Sequence, residues 1–125
     1  MASIRNHTST DVTKLLLVGD SGSGKTATLA TLANAGYNLR ILDFDDGLAI
    51  LPEFLLDSAV DRVSFVTLKD PIGKADAFRK SANLIGNWKD GDEDFGPVNK
   101  WTSKDVLVID SLTLMGEAAL RGALS

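Results

Sequence analysis

Gly19-Asp20-Ser21-Gly22-Ser23-Gly24-Lys25-Thr26 fits the pattern GxxxxGK[ST] at every specified position, and its neighbours supply the setting that gives the pattern meaning. Upstream, Lys14-Leu15-Leu16-Leu17-Val18 is continuously apolar after its lysine, as a parallel strand covered on both faces requires. Downstream, Ala27 to Ala35 reads as a helix, and Asn34-Ala35-Gly36 places a glycine where it can close that helix. Strand, loop and helix in this order predict a nucleoside triphosphate site. The glycines let the backbone from Gly19 through Ala27, with Asp20, Ser21 and Ser23 between them, curl so that successive N–H groups face phosphate oxygens. Lys25 then reaches the β and γ phosphates, and the Thr26 hydroxyl takes a position on Mg²⁺. The N-terminus of the following helix favours the same anion.

The 125 residues, 44% hydrophobic and 24% charged, suffice for one ordinary core. There is no cysteine, which excludes a disulfide framework and a thiolate metal site. No apolar stretch is long enough to span a bilayer, and Met1 to Asp11 lacks a signal-peptide core. Residues 1–13 read as a flexible arm, and the expected location is the cytoplasm. A net charge of −4 argues against a broadly basic nucleic-acid face on this part of the chain.

Beyond the first helix, strands and helices alternate, which predicts an α/β fold with a mainly parallel sheet flanked by helices. Leu39 to Phe44 reads as a strand closed by the acidic turn Asp45-Asp46-Gly47. Glu53 to Ala59 reads as a short helix with Pro52 near its start, and Arg62 to Leu68 as a β-branched, aromatic strand. Asp70-Pro71 predicts an N-cap and first-turn proline for a helix whose buried stripe is Ile72, Ala75, Phe78, Ala82 and Ile85. Val106-Leu107-Val108-Ile109-Asp110-Ser111 is an apolar strand ending in a carboxylate. Following a complete phosphate loop, Asp110 is the candidate metal-associated carboxylate beside Thr26. Ser111 is the candidate N-cap of the next helix, with a share in supporting the site.

In these pieces the chain resembles the RecA-like P-loop ATPases, and within them the phage-type RecA-like proteins linked to single-strand annealing and recombination. The pieces are the loop Gly19 to Thr26, the segment Ile41 to Leu48, the strand and helix from Arg62 to Ile85, and Val106 to Leu112. The resemblance implies Mg²⁺-dependent ATP hydrolysis with Lys25, Asp45 and Asp110 as the catalytic set. In that family an acidic residue, usually glutamate, ends the second strand and orients the attacking water. Asp45 matches that position with a side chain one methylene shorter, and Asp46 is its neighbour. The family's γ-phosphate sensor strand and DNA-contacting loops come later in sequence than the Asp110 strand. The resemblance therefore implies that residues 14–125 are the N-terminal part of a longer core, with a homo-oligomer and single-stranded DNA as partners through other regions.

Other patterns carry duller readings. Asp90, Asp92 and Asp94 imitate the start of a calcium loop, but Phe95 and Trp101 stand where glycine and glutamate are needed, which leaves a solvated acidic loop. Trp88 and Trp101 are expected to pack at element ends rather than stack on bases. His7 has no second ligand nearby, and Arg121 reads as a surface charge rather than an arginine finger. A small GTPase is the rival within nucleotide chemistry, since Asp70-Pro71-Ile72-Gly73 satisfies DxxG. Yet Asn99-Lys100-Trp101-Thr102 lacks the aspartate of NKxD. A nucleotide-dependent binding module without hydrolysis is the rival from another class.

Overall fold

The computed structural model describes residues 24–124. The expected arm 1–13, the expected strand Lys14 to Val18 and the loop positions Gly19, Asp20, Ser21, Gly22 and Ser23 lie outside them, as does His7. Helix α1 (Lys25–Asn34) follows Gly24, whose φ of 96° is left-handed. It ends as the sequence predicts. Gly36 takes φ 108°, its N–H donates to the Ala33 carbonyl and the Tyr37 N–H to the Leu32 carbonyl, the paired bonds of a Schellman end.

The described sheet is parallel, with β1 (Asn38–Asp43) in the middle, β2 (Val63–Thr67) on one side and β5 (Asp105–Asp110) on the other. Alternation along the strands divides the core. Leu39 and Ile41 pack under α1 and α2 (Leu51–Phe54), with Val63, Val106 and Val108 against the same cluster. Leu42 and Phe44 face the other way, toward α3 (Ala77–Gly86), Trp88 and α4 (Leu112–Leu124), with Val66, Leu107 and Ile109 beside them. Helices thus flank both faces of a parallel sheet, the expected α/β architecture, and the carboxyl ends of all three strands point to one rim.

Three elements differ from the expectations. The predicted helix Glu53 to Ala59 is two pieces, α2 and a 3₁₀ stretch at Asp57–Arg62, separated by Leu55 and Leu56 in extended conformation. Pro52 does sit in the first turn. Asp70 does act as a cap, but its carboxylate accepts from the Ala77 N–H at 2.8 Å, seven residues along, because Gly73 at φ 81° turns the chain before the helix starts. The buried stripe is consequently Ala77, Ser81 and Leu84, while Ile72 is fully exposed. The supposed acidic loop is a hairpin, β3 (Trp88–Asp90) with β4 (Glu93–Gly96). Gly91 at φ 59° begins its two-residue turn.

Trp88 is completely buried and lies 5.8 Å from Trp101, centroid to centroid. The Trp101 indole N–H donates to the Phe95 carbonyl at 2.9 Å. Both indoles therefore serve packing, as expected. Arg121 pairs with Asp70 at 2.9 Å and ties α4 to the turn before α3. Among the described residues, no helix is long and apolar enough to cross a membrane.

Candidate functional site at the carboxyl rim of the sheet

The register fixes what meets at the rim. Asp43 ends β1 and is level with Thr67, which ends β2, and with Asp110, which ends β5. Period-two alternation puts Asp43 on the face of Leu39 and Ile41, and Asp110 on the face of Val106 and Val108, which is the α1 face. Lys25 and Thr26 open α1 on that side, and both are half-buried. The start of α1 and the expected metal carboxylate thus come to one face of the sheet from separate elements.

Just past β1 the chain crosses over the end of β5. The N–H groups of Phe44 and Asp45 both donate to the Asp110 carbonyl, at 2.6 and 3.2 Å. This brings the exposed Asp45 carboxylate beside Ser111, whose hydroxyl donates to Asp45 Oδ1 at 3.1 Å. The same hydroxyl oxygen accepts from the Leu114 N–H at 3.3 Å, so Ser111 fills its predicted N-cap place on α4 and holds Asp45 as well. The Asp110–Ser111 peptide is cis.

Electrostatically the rim carries too many carboxylates for its cations. Burial pushes the Asp110 carboxyl above its ordinary value of 3.8, and Asp45 and Asp43 push it further, against the opposing pull of the Lys25 ammonium. An oxygen-lined group with surplus negative charge suits a hard divalent cation held jointly by protein and phosphate oxygens. Thr26 and Asp110 are the residues that would hold Mg²⁺. Among the described residues, no group of three or more histidines, cysteines or carboxylates is arranged to hold a metal ion.

Asp46 leans the other way. It lies at φ 55°, a left-handed conformation that aspartate tolerates better than most residues, and its carboxylate pairs with Lys69 at 2.7 Å. Sequence reasoning missed Asp43 and Thr67. The signal was available in the period of the strand, because Asp43 follows Leu39 and Ile41 at spacing two and so falls on their face, under α1. An open hollow of about 470 Å³ lies between the turn before α3 and Arg121, lined by Asp70, Ile72 and Lys74 among others. None of the rim residues borders it.

No protein-family model matches the chain, and neither a characterised protein nor a solved structure matches it.

Proposed function

We propose that this protein binds Mg²⁺-ATP at Gly19 to Thr26 and hydrolyses it in the manner of a RecA-like P-loop ATPase. The observation that carries the reading is the α1 face of the sheet, where Lys25 opens the helix on the side to which Asp110 at the end of β5 belongs, with Asp45 held by Ser111 next to it. Lys25 and a strand-end carboxylate 85 positions further on thereby belong to one face of the sheet.

Phosphoryl transfer to water asks for positioning and charge stabilisation rather than a covalent intermediate. Lys25 and the loop N–H groups would bind the β and γ phosphates and offset charge that builds up there. Thr26 and Asp110 would hold Mg²⁺, which when bound neutralises phosphate charge. Asp45, exposed at the rim and fixed by Ser111, would orient a water molecule in line with the leaving group and accept its proton.

A nucleotide-dependent binding module without turnover has one feature in its favour. Asp45 is shorter than the glutamate of the family, and its Oδ1 already accepts a hydrogen bond from Ser111. A role in single-strand annealing or recombination, oligomerisation and stimulation by single-stranded DNA rest on the resemblance. Guanine reading has no support, because Asn99 and Lys100 lie in a 3₁₀ turn leading into the amino end of β5.

Titration with a labelled ATP analogue in the presence of Mg²⁺ tests the binding. Lys25→Ala is expected to weaken affinity about 10- to 100-fold, the scale of a lost hydrogen bond to a charged group. Equal affinity in the variant would remove the assignment. Phosphate release by the wild-type protein then separates ATPase from binding module.

A further inference from the structure

Asp43 is 1% exposed, yet the proposed chemistry does not use it. Both of its oxygens are engaged. Oδ1 accepts from the backbone N–H of Asp46 at 2.8 Å, and Oδ2 accepts from the Thr67 hydroxyl at 3.2 Å. A buried carboxylate is costly unless such donors compensate it, and an apolar residue would serve the core without that cost. What the carboxylate does is local. Its bond to the Asp46 N–H closes the chain three residues on, where Asp46 stands at φ 55°. Asp45 lies inside that closed loop, and its own N–H is tied to the Asp110 carbonyl. Through Thr67 the carboxylate also references the turn to β2, so the Asp45 position is set against two strands of the sheet rather than by an exposed loop.

We infer that Asp43 is a positioning residue for Asp45: it fixes the 43–46 turn against β2 so that the Asp45 carboxylate is presented to the rim at a constant place. This rests on the reading of Asp45 as the water-orienting group. Removing the Asp43 carboxylate frees the turn while Lys25, Thr26 and Asp110 are kept, so the loss falls on turnover more than on nucleotide affinity.

A double-mutant cycle with Asp45→Asn tests this, read by Mg²⁺-ATP affinity, turnover number and hydrogen exchange at the Asp46 amide. Asp43→Ala is expected to leave affinity within about twofold and to lower turnover about 10- to 100-fold, the scale of a slightly misplaced reacting group. The Asp46 amide is expected to exchange about three- to tenfold faster, as one lost hydrogen bond allows. Asp43→Asn keeps an acceptor for that amide and is expected to restore turnover to within about threefold of wild type. In the Asp45→Asn background Asp43→Ala should cost nothing further. Equal losses in both backgrounds, or unchanged exchange at Asp46, would overturn the inference. If Asp43→Ala does not fold, Asp43→Asn closes the cycle, its smaller loss vanishing in the Asp45→Asn background. Wild-type protein that binds ATP without turnover would instead sink the water-orienting role of Asp45 and, with it, this role of Asp43. Protein that binds no ATP would remove the nucleotide reading, and exchange at Asp46 would still decide whether Asp43 holds the turn.

Discussion

Strand β5 carries an aspartate at each end, and the two live in opposite conditions. At the amino end burial pushes the Asp105 carboxyl up, but the Thr102 N–H, the Asn38 amide, the Thr102 hydroxyl and Arg40 together bring it below its ordinary value. The hydrogen bonds are 3.0 Å to Thr102 and to Asn38, and Arg40 stands 3.8 Å away. The hairpin completes that end: Phe95 lies 3.6 Å beneath the Arg40 guanidinium and Glu93 accepts from the Ser64 hydroxyl. Burial lowers the Arg40 value, and Asp105 and Glu93 offset only part of the fall. At the carboxyl end Asp110 has gathered carboxylates instead of donors, and its value is raised. One end of the sheet is electrically closed and holds the layers together. The other gathers carboxylates, and in the proposed reading it is the end where Mg²⁺ would be held.

The largest effect is expected at the closed end. Asp105→Ala strips the acceptor from Asn38 and Thr102 and leaves Arg40 buried without its nearest anion, a change that costs about 2–4 kcal/mol. Denaturant unfolding measures it, and ATP affinity of the folded variant should be unaltered. A loss under half that size would mean that the amino end is not the anchor. Arg40→Met keeps apolar contact with Phe95 while Asp105 retains Asn38 and Thr102, so the expected loss is smaller, about 1–2 kcal/mol. The same unfolding experiment ranks the two variants, and the reverse order would put the arginine stack above the carboxylate network.

The smallest stability effect, opposite in sign, belongs to Asp110→Asn. A carboxyl whose folded value is raised costs stability once pH climbs through that value, and nothing below the ordinary 3.8, where it is protonated in both states. The asparagine variant should therefore melt at or slightly above the wild-type temperature near neutrality, with the gain vanishing in acid, while nucleotide binding loses its Mg²⁺ dependence. Asp105 has the inverse sign: its lowered value contributes stability above 3.8 that disappears as pH falls through the folded value. Thermal melts of Asp105→Ala and Asp110→Asn across pH should thus move toward wild type in acid from opposite sides, Asp105→Ala keeping the part of its loss that comes from the missing acceptor. Convergence from the same side would refute the contrast between the two ends.

Much of the rim was legible in the chain. An apolar run ending in Asp110, a helix following a glycine loop and the Gly36 stop each depend on residues close together in sequence, and each lies where local pattern puts it among the described residues. The hairpin was missed although Gly91-Asp92 sits between its strands, because Lys89, Asp90 and Asp94 look solvated. They are exposed, while Trp88 and Phe95 do the docking. The cap signs of Asp70-Pro71 put the start of α3 too early, and Gly73 alone does not reveal that the capping bond spans seven residues.

By itself the sequence determined the phosphate-loop pattern, the α/β alternation and which strand ends in a carboxylate, since these follow from spacing and from each residue's own conformational preference. Only the tertiary structure decided which carboxylates share a rim. Parallel pairing puts Asp43, Thr67 and Asp110 at one level, and strand register is set by the packing of two buried faces rather than by any single segment. The same pairing separates Asp105 from Asp110 by the length of one strand. Identical side chains thereby come to sit among hydrogen-bond donors at one end and among other carboxylates at the other.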